Sequence, residues 1–479
     1  MPGIHVRLPD ESDFSDALDE LRVELGVPSQ FPDDVLSEVD EAIAAGPRVP
    51  DGAPVTAVED RVAVALITID PPESLDLDQA YAAARTPDGF RVHYAIADVA
   101  AFVIPGGSVD REAQARGVTL YAPDHNTLLH PPQLAEGAAS LLPGETRQAV
   151  LWTIDLDHEA RLVTASAARA QVRSREKISY RTAQQRIDEG SADNSLALLA
   201  EIGGRRQALE AERGAVSLNL PAQEVRIHDD HFDLEYDETL AVEGWNAQIS
   251  LLTGMAAAEI MLAGKVGVLR TLPEPSVGTI DEIRRSARAL GLEWPEGVSY
   301  PDRVRGLHPS TPEEAAFLNQ AARGLRGAGY VTFVGSVPEY TRHAAIAAEY
   351  AHVTAPLRRV CDRFANEVVL ALCGGHEPPA WAVEALEDLP SVMGRARSAD
   401  RALEQGVVDL AESLALQHRQ GDTFEGVVVN VDDRRAKLQL HSPAVVAMIE
   451  PDGRQLGEHV TVRLSRADPE TRSVHFTVV

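Results

Sequence analysis

Hydrophobic periodicity changes twice along this sequence, and those changes limit the fold more than any single motif does. In residues 1–60 apolar side chains recur near helical spacing, as at Leu18, Leu21, Val23 and Leu25. From Arg61 the pattern is β-like, with runs at 62–69, 90–97 and 149–156. Helical stretches follow at 243–264, 280–291, 312–327, 356–373 and 396–420. After Gly421 five short strands, at 423–431, 436–441, 445–449, 459–464 and 474–478, are split by Asp, Gly and Pro turns. Five strands in so short a tail are what a small OB-type barrel requires. The expected fold class is α+β. It comprises a helical extension over 1–60, a body of mixed sheet and helices over 61–419, and a five-stranded β-barrel over 420–479. A chain of 479 residues needs several such cores, at roughly 100–200 residues each.

Charge narrows the function. Lys and Arg number 44 against 74 Asp and Glu, so the net charge of −30 disfavours a nonspecific grip on nucleic acid or anionic membrane. A local basic channel remains compatible with it. Residues 1–60 hold fifteen acids against Arg7, Arg22 and Arg48. Their two or three short helices suit a docking or lid element; a helix-turn-helix reading of DNA would need cations for the phosphates. Residues 161–186 are the opposite, with seven cations, among them Arg173, Arg175 and Lys177, against Glu176 alone. Such an island either lines a channel that tracks a nucleic-acid backbone or forms a solvated face. The two cysteines, Cys361 and Cys373, exclude a disulfide framework and a thiolate zinc cluster, and suit a reducing cytoplasm. The polar amino end carries no signal-peptide pattern. The most apolar stretch, 250–264, is interrupted by Glu259 and reads as a buried helix, so a cytoplasmic protein with no membrane partner is expected.

There is no nucleophile elbow, Walker loop, dinucleotide fingerprint or H-E-x-x-H. The one dense constellation is Asp70-Pro-Pro-Glu-Ser-Leu-Asp76-Leu-Asp78-Gln79-Ala80. Pro71 and Pro72 stop a strand and force a loop, where carboxylates can converge. Converging carboxylates repel unless a cation neutralises them, and Mg²⁺ takes hard oxygen ligands while keeping waters for a phosphate substrate. A solvated acidic loop has the same spacing.

The flanking residues decide between these readings. The acidic motif is followed by His93-Tyr-Ala-Ile-Ala-Asp98, by Pro105-Gly-Gly-Ser-Val-Asp110-Arg-Glu-Ala, by Tyr121-Ala-Pro and by Ala139-Ser-Leu-Leu-Pro-Gly. A second motif, Tyr350-Ala-His352-Val-Thr354-Ala-Pro-Leu-Arg358-Arg359, comes later. Together they resemble the RNB domain, the catalytic domain of the ribonuclease II family, over about residues 60–415. The tail is similar to the S1-type OB domain of that family. The family's usual N-terminal cold-shock domains have no room in the first 60 residues.

The resemblance implies processive, hydrolytic 3′→5′ digestion of single-stranded RNA with a free 3′ end, releasing nucleoside 5′-monophosphates. It implies one or two Mg²⁺ ions, with Mn²⁺ as a substitute, and no obligate protein partner is evident. Asp70, Asp76 and Asp78 would hold metal, with Asp78 most directly catalytic. Arg358 would contact the scissile phosphate, and Glu404 is a loose match to a glutamate near it. Tyr121 and Tyr180 would stack on bases, while Arg173, Arg175, Lys177, His352, Thr354, Arg358 and Arg359 are expected along the RNA. The sequence departs from the family at Gln79, where a fourth acid is usual. An amide oxygen can ligate Mg²⁺ but adds no charge, which leaves open an RNA-binding protein of the same fold with little catalysis. A phosphodiesterase for another nucleic-acid end is a third reading.

Overall fold

In the computed structural model, residues 4–7, 11–53, 58–216, 223–228, 231–236, 240–305, 307, 312–431, 435–440 and 445–479 are described. The first β-run is shorter than expected: only Leu66–Ile69 is strand, and it ends at Asp70 where the prolines begin. It lies inside a six-stranded mixed sheet ordered Glu59–Asp60, Leu162–Ile178, Leu66–Ile69, Gln79–Thr86, Gly89–Ala97 and Thr146–Leu156. Thr146–Leu156 also pairs with Leu162–Ile178, so the sheet curls back on itself.

Period-two alternation sorts the side chains of this sheet onto two covered faces. Ile67, Ile69, Tyr81, Phe90, Val92, Tyr94 and Ile96 point into one core with Trp152. That core is completed by the helices Asn194–Glu212, Ala241–Gly264 and Val360–Cys373. The intervening residues, Leu66, Ala80, Ala82, Ala95 and Ala97, are mostly small, which lets the helix Asp33–Ala45 approach with Val35 and Val39. Ala241–Gly264 is long and apolar enough by length and composition to cross a membrane. Here it is a core helix, with Ile249, Leu252, Ala256 and Met261 fully buried.

The 17-residue strand Leu162–Ile178 was not legible as a strand, and the cations of 161–186 divide between internal contacts and an exposed face. Arg169 is buried in an ion triad with Asp98 and Glu367. Arg161 pairs with Glu212, Arg186 with Glu176, and Arg173 donates to the Thr146 hydroxyl.

The amino end forms helices as expected, but they belong to different cores. Glu11–Leu25 packs with Phe14, Leu18 and Leu21 on Leu403, Val407 and Leu410 of the long helix Leu389–Leu416, whereas Asp33–Ala45 packs on the sheet. Ile4–Arg7 adds a strand to His231–Tyr236. The helix-turn-helix alternative therefore gives way to two separate docking helices.

The tail is a five-stranded, nearly closed barrel: Thr423–Val431, Ala436–Leu440, Val446–Ile449, His459–Asp468 and Ser473–Val478. Phe424, Val428, Leu438, Val462 and Phe476 fill it. Val427 and Val429 face outward onto the helix Pro312–Ala321. The fold is thus α+β, as expected. His441, read as the end of the second tail strand, lies outside the described residues.

Candidate active site

The acidic loop is held by its backbone, which frees its carboxylates. Asp70 N–H donates to the Ile178 carbonyl at 3.1 Å and Leu77 N–H to Ser140 Oγ at 3.0 Å. Lys177 Nζ donates to the Pro72 and Ser74 carbonyls, both at 2.6 Å. Lys177 therefore supports the loop from behind and does not line the cleft, contrary to the expected backbone contact.

The second motif meets this loop across nearly 280 residues of sequence. Leu357 N–H donates to Asp78 Oδ1 at 2.8 Å, and Arg358 Nε lies 3.2 Å from Asp78 Oδ2. That second contact is an ion pair without hydrogen-bond alignment, so Asp78 Oδ2 is a buried oxygen with no hydrogen bond among the described residues. Gln79 spans the same junction: its Nε2 donates to the Thr354 carbonyl at 2.7 Å, and its Oε1 accepts from the Tyr94 hydroxyl at 2.8 Å.

Asp70, Asp76, Asp78, Gln79, Tyr121, Tyr180, Arg358 and Glu404, all singled out in the sequence, line one cleft of about 890 Å³. Glu73, part of the acidic motif but given no role there, also lines it, as do Asp124 and Glu136, which sequence reasoning missed. Glu136 carries no local signal, whereas Asp124 follows the Tyr121-Ala-Pro motif closely. Arg358 is the only Arg or Lys among the lining residues, and 45% of its side chain is exposed. Tyr121 has its hydroxyl beside Asp76 and Arg358.

Other expected contacts lie elsewhere. Arg173 and Arg175 are exposed on the long strand away from the cleft. Thr354 is buried with its Oγ1 2.9 Å from Ser250 Oγ. His352 is shielded between Tyr330 and Tyr350, with Nδ1 2.8 Å from the Tyr330 hydroxyl. Their motif builds the turn that presents Arg358, so short spacing from a contact residue was a misleading guide. Arg359 is turned inward onto Asp362 at 2.7 Å. It lines a smaller pocket of about 300 Å³ with Arg270, Tyr330 and Arg397, which joins the main cleft at Tyr121 and Arg358.

The electrostatics fit a cation. Burial pushes Asp78 up to about 8 even though Arg358 opposes it, and pushes Asp70 up to about 6 against Arg358 and Lys177. Asp76 is raised by burial too. Three carboxylates that resist ionisation together, one with an orphaned oxygen, are a donor set whose charge a hard divalent ion would balance. Asp70, Asp76 and Asp78 have the chemistry to hold such an ion. Gln79 has both ends of its amide engaged.

The RNB domain family matches residues 59–373, and the RNase II-type exonuclease C-terminal S1 domain matches residues 422–479. Two proteins of Arabidopsis thaliana, one described as DIS3-like exonuclease 2 and one as inactive exonuclease DIS3L2, are each 30% identical over 370 residues. That alignment covers 69% of this chain and 35% of each relative, so the chain spans about a third of their length. Ribonuclease R of Aquifex aeolicus is 24% identical over 97% of this chain and 70% of its own. Among solved structures, the apo form of Mycoplasma genitalium RNase R superposes with a TM-score of 0.86 at 18% identity, covering 98% of this chain and 79% of that one. Yeast Ssd1, a pseudonuclease, superposes with a TM-score of 0.71 at 15% identity, covering 96% and 59%.

Proposed function

Because this chain belongs to the RNB-domain family of the ribonuclease II type, we propose that it is a processive 3′→5′ exoribonuclease. It would hydrolyse single-stranded RNA from a free 3′ end to nucleoside 5′-monophosphates. The observation that carries this reading is the convergence of Asp70, Asp76 and Asp78 on Arg358 in one cleft, with Asp78 Oδ2 buried and without a hydrogen bond among the described residues.

Each residue has a distinct task. Arg358 is held by its ion pair with Asp78 and has an exposed guanidinium, suited to two oxygens of a phosphate and to the charge that grows on them. Tyr121 and Tyr180 offer rings to bases, a contact worth roughly 1–3 kcal/mol each and tolerant of sequence. Glu404 reaches the cleft from the long helix and is placed to accept a hydrogen bond from a ribose or water. Magnesium held by Asp70, Asp76 and Asp78, or manganese in its place, would supply an activated water and neutralise the departing oxygen. Ribonuclease R of Mycoplasma genitalium has been solved with single-stranded and with double-stranded RNA, which supports an RNA substrate for this fold.

Gln79 favours a second reading, an RNA-binding protein of this family with weak or no catalysis. Its amide is committed to Thr354 and Tyr94, so the fourth charge is missing and its replacement is structural. A sequence relative is described as inactive, and a pseudonuclease shares the fold. A 5′-labelled RNA, a 3′-blocked copy and a DNA copy, each with Mg²⁺ or EDTA, separate the readings. A ladder shortening from the 3′ end, only for unblocked RNA with metal, is the expected result. Asp78→Asn abolishes that ladder and retains RNA binding; hydrolysis that survives the change would refute the role given to Asp78.

A further inference from the structure

We infer that Arg22, on the N-terminal helix, is a positioning residue that fixes the RNA-facing loop 121–126 and so sets the place of Tyr121. The inference rests on the function proposed above. All six residues of that loop line the main cleft. Its base is closed by two backbone hydrogen bonds between Leu120 and Thr127, at 2.9 and 2.8 Å. Its tip is gripped by Arg22. Nη1 donates to Asp124 Oδ2 at 2.8 Å, Nη2 to Asp124 Oδ1, and Nη2 also to the His125 carbonyl at 3.0 Å. Asp19, one helical turn earlier, holds Nη1 from the other side at 2.9 Å.

The fork is buried: Arg22 is 2% exposed and the Asp124 side chain 9%. A buried pair of this kind contributes little net stability over apolar packing, but it fixes geometry, because a planar guanidinium matches a carboxylate in one orientation. Burial, the largest single influence, raises the Asp124 carboxyl, but the Arg22 hydrogen bond and charge together with the His125 backbone bond and ring hold it below its ordinary range. The helix that carries Arg22 is itself tightly seated. Leu21 packs on Gly406 so closely that a Cβ there would meet its side chain at 2.8 Å. Gly406 belongs to the helix that supplies Glu404, Val407 and Val408 to the cleft. One N-terminal helix thus links the Tyr121 loop to the opposite cleft wall.

The test uses the full chain and three readouts: the melting curve, binding of a fluorescent single-stranded RNA in EDTA, and the length of the shortest RNA left in Mg²⁺. Arg22→Met, which keeps the aliphatic stem, should weaken binding about tenfold and lengthen the shortest product, matching Tyr121→Ala. The double variant should be no worse than Tyr121→Ala alone, and Arg22→Lys, without the fork, should recover only part of the loss. A lower melting temperature with unchanged binding and end length, or effects of Arg22→Met and Tyr121→Ala that multiply, would overturn the inference. If the wild type binds RNA but makes no ladder, the catalytic proposal fails and the binding arm still decides this one. If it binds no RNA, both fall.

Discussion

At the scale of single residues, the site is built from groups whose ordinary behaviour is suppressed. Gln79 has the position of an acid in the family pattern and performs a structural task, joining Thr354 to Tyr94 across the two motifs. A carboxylate there would lose the donor to Thr354, so added charge and retained structure compete at one position. His130, outside the residues that line the cleft, is a second suppressed group. It is 1% exposed, and burial, followed by the Arg363 guanidinium, pushes it down to about 3. Arg116 adds to that effect, while Asp110 and the Pro356 carbonyl oppose it. The unfolded chain binds this proton near pH 6.5 and the folded one does not until about 3. The contribution of neutral His130 is therefore complete above pH 6.5 and is lost as pH falls from there towards 3. The expected loss is about 2 kcal/mol at pH 5, and His130→Phe should flatten the slope of urea-derived stability between pH 7 and 5.

At the scale of elements, the strand Leu162–Ile178 does what its composition concealed. Two of its cations hold other elements in place, while Arg173 and Arg175 stay on the surface. Lys177 supports the acidic loop, and Arg169 ties the strand to Asp98 and to Glu367 of the helix Val360–Cys373. Burial raises Glu367 to about 7 against the pull of Arg169, so the triad is balanced only while the arginine is present. Arg169→Met should cost about 3–5 kcal/mol in urea denaturation, because two buried carboxylates lose their partner. This strand also shows where the sequence was unreadable. Alternating Ala, Arg and Ser give no apolar face, and its length became evident only through pairing with Thr146–Leu156. The tail was readable for the opposite reason: its strands are short and apolar, Ala436–Leu440 burying every second residue, and turn formers separate them.

At the scale of the molecule, the proposed hold on RNA by so acidic a protein rests on a few arginines. The main cleft offers Arg358, and the adjoining pocket adds Arg270, Arg359 and Arg397. Four arginines set the expected salt response: the logarithm of RNA affinity should fall against the logarithm of salt with a slope of about −3. A slope of about −7 would mean that a broader basic surface, absent from the described cleft, carries the strand. Among its described residues, the acidic N-terminal segment adds no such surface. It closes the molecule, with Arg22 on the cleft loop and Glu24 paired to Arg472 of the barrel.

The sequence by itself determined the α+β class, the barrel tail, the break at Pro71 and Pro72, and the acids Asp70, Asp76 and Asp78, because each is a local matter of period, turn chemistry or spacing. Only the tertiary structure decided that Leu357 and Arg358 meet Asp78, that Gln79 is a tie, that Arg169 and Lys177 of the basic strand are drawn into internal contacts and that Arg22 reaches Asp124. Those contacts join residues up to 279 positions apart, and whether a charge there meets water, a counter-ion or a substrate depends on what packs against it.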